Sequence, residues 1–500
     1  MLKIDHLTIT THKGRKLLDD FSFVLNDDDK VALIGEEGNG KSTILKIIAG
    51  IDVDSYVNYE GNIICDGKIG YLPQRIAQED LDKDIVDYIG DEIDYNFLYS
   101  LITRIGIDPS LIADRKIRTL SGGEKVKISL LKVLYCQPDI LLLDEPTNDL
   151  DLRTLIWLEE FIRNSSLPMI FVSHDETLLE NCAQGVLHIE QLKRKSESHI
   201  TYSGVSYREY IRSRAAFINR NNMIASKEKA QLKKQMDRYR QIFQKVEHQQ
   251  KTISRGDPHG GQLLKKKMKS LKAQGRNLET KKENMRHKYE PEEAIDVFFE
   301  DVSMNPDKVI LDLHLDELKN ADRILCENID LKVLGRDKLC LIGDNGSGKT
   351  TLIRMIAKQL LERQDIHAAY MPQDYEEVMD YDLTPIEFLW DGADMKQRAK
   401  VQSYLGALKF TTEEMTHKIR ELSEGQKCKI LFLRMILDEN DVLILDEPTR
   451  NLSPLSGPII RNILSDFKGT IISVSHDRKY IDEVANRICE IFEGALRFYD

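Results

Sequence analysis

Five blocks of sequence occur twice along the 500 residues, in the same order both times, and no other feature constrains the fold as strongly. "VALIGEEGNGKSTILKIIAG" (31–50) returns as "LCLIGDNGSGKTTLIRMIAK" (339–358), and "YLPQ" (71–74) returns as "YMPQ" (370–373). "LSGGEKVKISLLKVL" (120–134) pairs with "LSEGQKCKILFLRMI" (422–436), "ILLLDEPTNDLD" (140–151) with "VLILDEPTRNLS" (442–453), and "FVSHD" (171–175) with "SVSHD" (473–477). Such a chain must fold as two copies of one unit, joined by whatever lies between them.

Each block has a physical reading. In Gly35-x4-Gly40-Lys41-Ser42 and Gly343-x4-Gly348-Lys349-Thr350, an apolar strand runs into a glycine-rich loop and then a helix. The loop N–H groups and the helix N-terminus make an anion cradle that includes Gly38, Thr43, Gly346 and Thr351. Lys41 or Lys349 reaches the β- and γ-phosphates of ATP, and Ser42 or Thr350 holds magnesium. Asp144 and Asp446 end apolar strands, where a carboxylate can ligate magnesium through water, and Glu145 and Glu447 follow as candidate general bases. Gln74, Gln373, His174 and His476 complete a shell around metal, water and phosphate, with both glutamines as candidate metal contacts. Ser121 and Ser423 open helices whose dipoles favour a second phosphate. Each half already owns one cradle, so the economical arrangement crosses over. ATP on Lys41 is closed by Ser423 and Gly425, and ATP on Lys349 by Ser121 and Gly123.

These motifs resemble the ATP-binding-cassette superfamily, duplicated over nearly the whole chain. The resemblance implies an α/β core in each half, with a smaller helical subdomain at roughly 75–135 and 374–436 that carries the signature. Two positions depart from the pattern: Glu424 stands for the usual first glycine of the signature, and Ser453 stands where the first half has Asp151. Both bear on equal turnover at the two sites, since one adds an acid near a phosphate and the other removes one from the contact between halves. Neither half offers an aromatic residue to stack on adenine.

Composition adds bounds. With 41% hydrophobic and 31% charged residues, the chain reads as globular, with about three units at ~150 residues each. No apolar run approaches the ~20 residues of a membrane span, and "MLKIDHLTIT" lacks the build of a signal peptide, so a cytoplasmic location is expected. Cysteines 65, 136, 182, 326, 340, 428 and 489 are scattered singly, which indicates neither disulfides nor a zinc site.

Between the repeats, residues 207–290 carry 23 Lys+Arg against 8 Asp+Glu, a surplus of +15, while the rest of the chain stands at −27. Apolar residues recur at steps of three and four through Ile211, Ala215, Ile218, Ala225, Leu232, Met236, Tyr239, Phe243 and Val246, and again through Leu264, Met268, Leu271, Leu278 and Met285. This pattern predicts two helices sharing a narrow seam, an antiparallel hairpin with a first helix of ~45 residues and ~65–70 Å. "SRGDPHGG" (254–261) is its expected tip. A spacer needs no positive excess inside an acidic protein. Basic helices suit a polyanion, and a long narrow hairpin suits an RNA crevice better than a duplex groove. Arg255, His259, Lys265, Lys266, Lys267 and Lys269 are the candidate RNA contacts.

Tandem cassettes, at 1–206 and 291–500, flanking a basic hairpin at 207–290 resemble the ABC-F family of ribosome-associated ATPases. The resemblance implies a monomer with paired cassettes that enters the exit-tRNA site of the 70S ribosome. There the hairpin would meet P-site tRNA and 23S rRNA near the peptidyl-transferase centre, with no membrane or DNA partner. About 46 residues separate Gln74 from Ser121, leaving no room for the long arm of some housekeeping members, and the chain stops at "LRFYD" without a basic extension. With "DEPTRNLSPLS" and the hairpin's length, these features look most like the antibiotic-resistance branch, whose members dislodge ribosome-targeting drugs. A housekeeping translation factor is the alternative; a transport ATPase, a DNA-directed ATPase and a scaffold fit less well. The tip offers Arg255, His259 and Leu263 but no Phe, Trp or Tyr, so resistance by shifting tRNA and RNA bases is expected rather than a direct wedge.

Overall fold

The computed structural model describes residues 1–90, 92–112, 115–148, 150–191, 197–252, 258–286, 288–289, 299, 304–320, 323–390, 392 and 394–499. It divides into two compact units, residues 1–207 with 292–500, and residues 208–291.

The larger unit contains both repeats. In the first, strands Ile69–Leu72, Ile140–Asp144, Met169–Val172, Lys30–Gly35 and Gly185–Gln191 lie side by side in that order, all parallel, and Glu197–Ser203 adds an antiparallel edge. The second repeats the plan with Ala368–Met371, Val442–Asp446, Thr470–Val474, Lys338–Gly343, Arg487–Phe492 and the antiparallel Ala495–Tyr499. Runs such as ILLLD and VLILD are buried at every position, as strands covered on both faces must be. A smaller antiparallel sheet pairs Leu2–Thr11 with Lys16–Leu25 and Val57–Cys65; its counterpart pairs Val309–Asn320 with Arg323–Leu334.

The helical subdomains fall where the sequence places them. In the first, Ile85–Ile89, Tyr95–Ile105 and Gly122–Tyr135 pack around Leu98, Ile102, Ile128 and Leu131. In the second, Pro385–Leu389, Met395–Ala407, Thr412–Thr416 and Glu424–Leu437 surround Leu389, Val401, Leu405 and Ile430. The repeats also meet through ion pairs. Arg478 Nη1 reaches Glu159 at 2.9 Å and its Nη2 reaches Asp175 at 2.9 Å, while Lys479 reaches Glu180 at 3.1 Å.

The smaller unit is two helices, Tyr207–Thr252 and Pro258–Glu283. At 46 residues the first is ~69 Å long. Their contacts run antiparallel: Tyr289 N–H donates to Asn222 Oδ1 at 2.7 Å, and further along, Gly275 sits so close to the Tyr239 hydroxyl that a Cβ there would lie 2.5 Å from it. Ala225, Val246, Leu271 and Leu278 of the expected seam are buried, whereas Ala215 is exposed. The expected tip is corrected in part. The second helix already begins at Pro258, so Pro258, His259, Gly260 and Gly261 are its first residues and not a turn. Proline is pre-set for the first helical position, and a long helix absorbs the ~1 kcal/mol cost of each glycine. Arg255 and Gly256 lie outside the described residues.

Candidate active sites

Both phosphate loops adopt conformations that only glycine suits. Gly35, Gly38 and Gly40 have φ of 155°, 74° and 89°, and Gly343, Gly346 and Gly348 have 145°, 80° and 108°. A Cβ on Gly35 would stand 2.5 Å from the Ile189 carbonyl oxygen, and one on Gly343 2.7 Å from that of Ile491. The backbone is thereby held against its neighbouring strand, and the helices Lys41–Ile48 and Lys349–Leu361 start with their N–H groups turned into the loop. Thr43 and Thr351 sit in the first turns. Lys41 Nζ donates to the carbonyls of Gly35 (2.9 Å) and Glu36 (3.2 Å), and Lys349 Nζ to those of Gly343 (2.8 Å) and Asp344 (2.9 Å).

Around the first loop, Ser42 Oγ donates to Asp144 Oδ1 at 3.0 Å and the Tyr71 hydroxyl donates to Oδ2 at 3.0 Å. Gln74 Nε2 donates to Glu145 Oε2 at 2.7 Å, joined there by Asn148 Nδ2 at 2.9 Å. His174 Nε2 lies 3.0 Å from Glu145 Oε1, and its Nδ1 lies 2.6 Å from the carbonyl oxygen of Leu452 in the other half. Burial opposes the Glu145 charge, but His174 and Lys41 outweigh it and hold the carboxyl down at about 2. Glu145 and Glu447 both have positive φ, 49° and 54°, a strained backbone that aims each carboxylate from its strand end.

The second loop differs. Lys349, Thr350, Thr351, Gln373, Glu447 and His476 border a cavity of about 620 Å³, which Ser121 and Gly122 of the first half also line. Neither carboxylate oxygen of buried Asp446 has a well-formed hydrogen bond. Burial pushes Asp446 up to about 6, with the Thr350 hydroxyl and Arg354 tempering the shift. Burial and the neighbouring Asp446 push Glu447 up to about 8, and burial with Lys349 pushes His476 down to about 4. His476 N–H donates to Glu447 Oε2 at 3.2 Å, but its ring nitrogen stays 3.7 Å from Oε1. The Asp446 carboxylate at the end of a strand, beside a lysine-bearing glycine cradle and the Thr350 hydroxyl, is a donor set that fits a divalent cation and a phosphate chain.

The signature helices begin with reciprocal caps. Ser121 Oγ accepts from Glu124 N–H while Glu124 Oε2 accepts from Ser121 N–H, and Ser423 and Gln426 repeat this. Gly123 does not border the cavity; it packs where a Cβ would meet Thr154 Oγ1 at 2.6 Å. Gly425 N–H faces the first loop and donates to Glu37 Oε2 at 2.6 Å.

Residues 18–148 and 326–450 each match the family described as ABC transporter. The chain is 30% identical to the ATP-binding protein Uup of Buchnera aphidicola subsp. Schizaphis graminum, over 94% of this chain and 77% of that one. It is 27% identical to ABC transporter F family member 5 of Arabidopsis thaliana, over 98% of this chain and 75% of that one. The chain belongs to the ABC-F family. As an ABC-F protein with two cassettes of this kind, it is an ATPase. A solved complex of the archaeal ribosomal stalk protein aP1 with the archaeal ribosome recycling factor aABCE1 shares the fold, with a TM-score of 0.59 at 18% identity over 94% of this chain and 84% of that one.

The departures from the ABC-F pattern find partners. Glu424 is exposed and accepts from Lys427 Nζ at 2.7 Å. Ser453 Oγ donates to Glu36 Oε1, which also receives Ser456 Oγ at 2.7 Å, while Lys429 Nζ donates to Oε2 at 3.0 Å. The acid missing at 453 is thus supplied from across the contact. Sequence reading did not find Glu36, Lys429, or the Asn320, Arg323 and Leu325 that line the second cavity. Their only signal is position relative to the repeat.

Proposed function

We propose that this ABC-F ATPase acts on the ribosome, closing its cassettes on two Mg2+-ATP and using the basic hairpin to contact P-site tRNA and 23S rRNA, with hydrolysis driving release. The observation that carries the reading is a pair of crossed sites in one unit together with a separate helical unit bearing the exposed Lys265, Lys266, Lys267 and Lys269 and His259. The archaeal recycling factor that shares the fold is bound to a ribosomal stalk protein in its solved complex, which supports the same class of target. Among the described residues no helix is long and apolar enough to cross a membrane.

In each site, Lys41 or Lys349 would hold the phosphate chain, Ser42 with Asp144 or Thr350 with Asp446 would hold the cation, and Gln74 or Gln373 would border it. Bound there, the cation neutralises phosphate charge. Glu145 and Glu447 would take the proton of an attacking water, with His174 and His476 orienting them. Ser423 with Gly425, and Ser121 with Gly122 in place of the expected Gly123, would seal each site from the opposite half. The short segment between Gln74 and Ser121 and the long hairpin favour the drug-protecting branch.

Replacing Glu145 and Glu447 together by Gln is expected to keep ATP binding, remove the proton acceptor and trap the protein on 70S ribosomes in sucrose gradients. Sedimentation of the double variant away from ribosomes in ATP would rule the reading out. In sensitive cells, the unaltered chain is expected to raise the inhibitory concentration of a drug that binds near the peptidyl-transferase centre. Unchanged sensitivity to every such drug, with ribosome trapping intact, would leave the housekeeping role.

A further inference from the structure

The two phosphate loops differ at one chemically decisive position: Glu37 stands where the second loop has Asn345. The Glu37 side chain lies across the contact between halves, with Oε2 accepting from Gly425 N–H at 2.6 Å. Burial pushes the Glu37 carboxyl up, and the charges of His174 and Lys41, with hydrogen bonds from Gly425 and Ser423, work against that rise. Lys41, Ser423 and Gly425 are the groups assigned above to close on a terminal phosphate at the first site, and His174 belongs to the shell around it. The neighbouring Glu36, clamped by Lys429, Ser453 and Ser456, fixes the loop in this position.

We propose that Glu37 is a built-in anion that takes the γ-phosphate's place on the second half's signature helix, so that the first site discriminates poorly between ATP and ADP while the second requires the triphosphate. The inference rests on the crossed-site reading of the previous subsection. A carboxylate and a terminal phosphate cannot share one backbone N–H, so a triphosphate must displace Glu37, whereas a diphosphate leaves it seated. Asn345 carries no charge and offers no such competition.

The test uses the full chain with Lys349→Ala, which silences the second site, and titrates fluorescent ATP and ADP analogues. The parent is expected to bind both with similar affinity. Adding Glu37→Asn or Glu37→Gln is expected to raise the preference for ATP by about tenfold or more, the scale of one charge-assisted hydrogen bond. The reciprocal chain, Lys41→Ala with Asn345→Glu, is expected to lose the ATP preference of the second site, and it decides the matter if the Glu37 variants fail to fold. An unchanged ATP-to-ADP ratio in folded Glu37 variants, or in the reciprocal chain, overturns the proposal. Adding Ser423→Ala to the Glu37→Asn, Lys349→Ala chain separates the two layers. An affinity loss for ATP supports crossing of the sites, and none would overturn the crossed-site reading and this inference with it.

Discussion

At the residue scale, Glu36 shows how a buried charge becomes tolerable. Largely enclosed, it would be expected to turn neutral, yet the Lys429 ammonium and the hydroxyls of Ser453 and Ser456 outweigh burial and hold it down at about 2. A carboxylate depressed in the folded state contributes stability above its unfolded value, near 4.5, and loses that contribution as pH falls toward 2. Glu36→Gln is therefore expected to cost about 3 kcal/mol at pH 7. The gap from the unaltered protein should narrow steadily below about pH 4.5, measured by denaturant unfolding at a series of pH values. A gap independent of pH would mean that Glu36 acts by shape and not by charge. The same residue accounts for Ser453: an aspartate there, as at 151, would set two carboxylates against each other.

At the scale of elements, the hairpin is held by a narrow seam and leaves its charge outward. Lys265, Lys266, Lys267 and Lys269 are all exposed on the helix Pro258–Glu283, and among the described residues none of them forms an ion pair. Changing all four to Gln is expected to leave the fold intact, weaken ribosome binding, and reduce the slope of log affinity against log salt by roughly 3 if each meets one phosphate. Binding measured from low to moderate salt gives that slope directly, and an unaltered slope would return the helices to the role of a spacer.

Across the larger unit, the halves are tied by charges as well as by the sites. Arg461, only 2% exposed, donates from Nη1 and Nη2 to Glu176 at 2.7 and 3.2 Å and from Nε to Glu483 at 2.7 Å. Burial, with Asp477 and Glu483 nearby, pushes Glu176 up to about 7, and Arg461 is what opposes that rise. Arg461→Met is expected to destabilise the paired cassettes by about 3 kcal/mol while Glu176 stays charged, with partial relief on acidification that sets in above pH 7, because without Arg461 the Glu176 carboxyl is pushed up further and takes up a proton sooner. Fluorescence transfer between dyes on the two cassettes would report it. A variant as well paired as the parent at every pH would show that the ion pairs are incidental.

The sequence by itself determined the duplicated α/β plan, the loop glycines, the strand-end Asp-Glu pairs and the amphipathic hairpin, because each depends on local spacing: positive-φ glycines before a helix, all-apolar strands, and a period of three to four. It also carried the capping pattern at Ser121 and Ser423. Only the tertiary structure decided that the two sites are unequal. Glu145 meets His174 and Gln74 while Glu447 stands with Asp446 in an open cavity, and Glu36 and Glu37 cross to Lys429 and Gly425. Those differences arise between residues far apart in the chain. They depend on which buried charge finds a partner across a contact, and no local pattern encodes that.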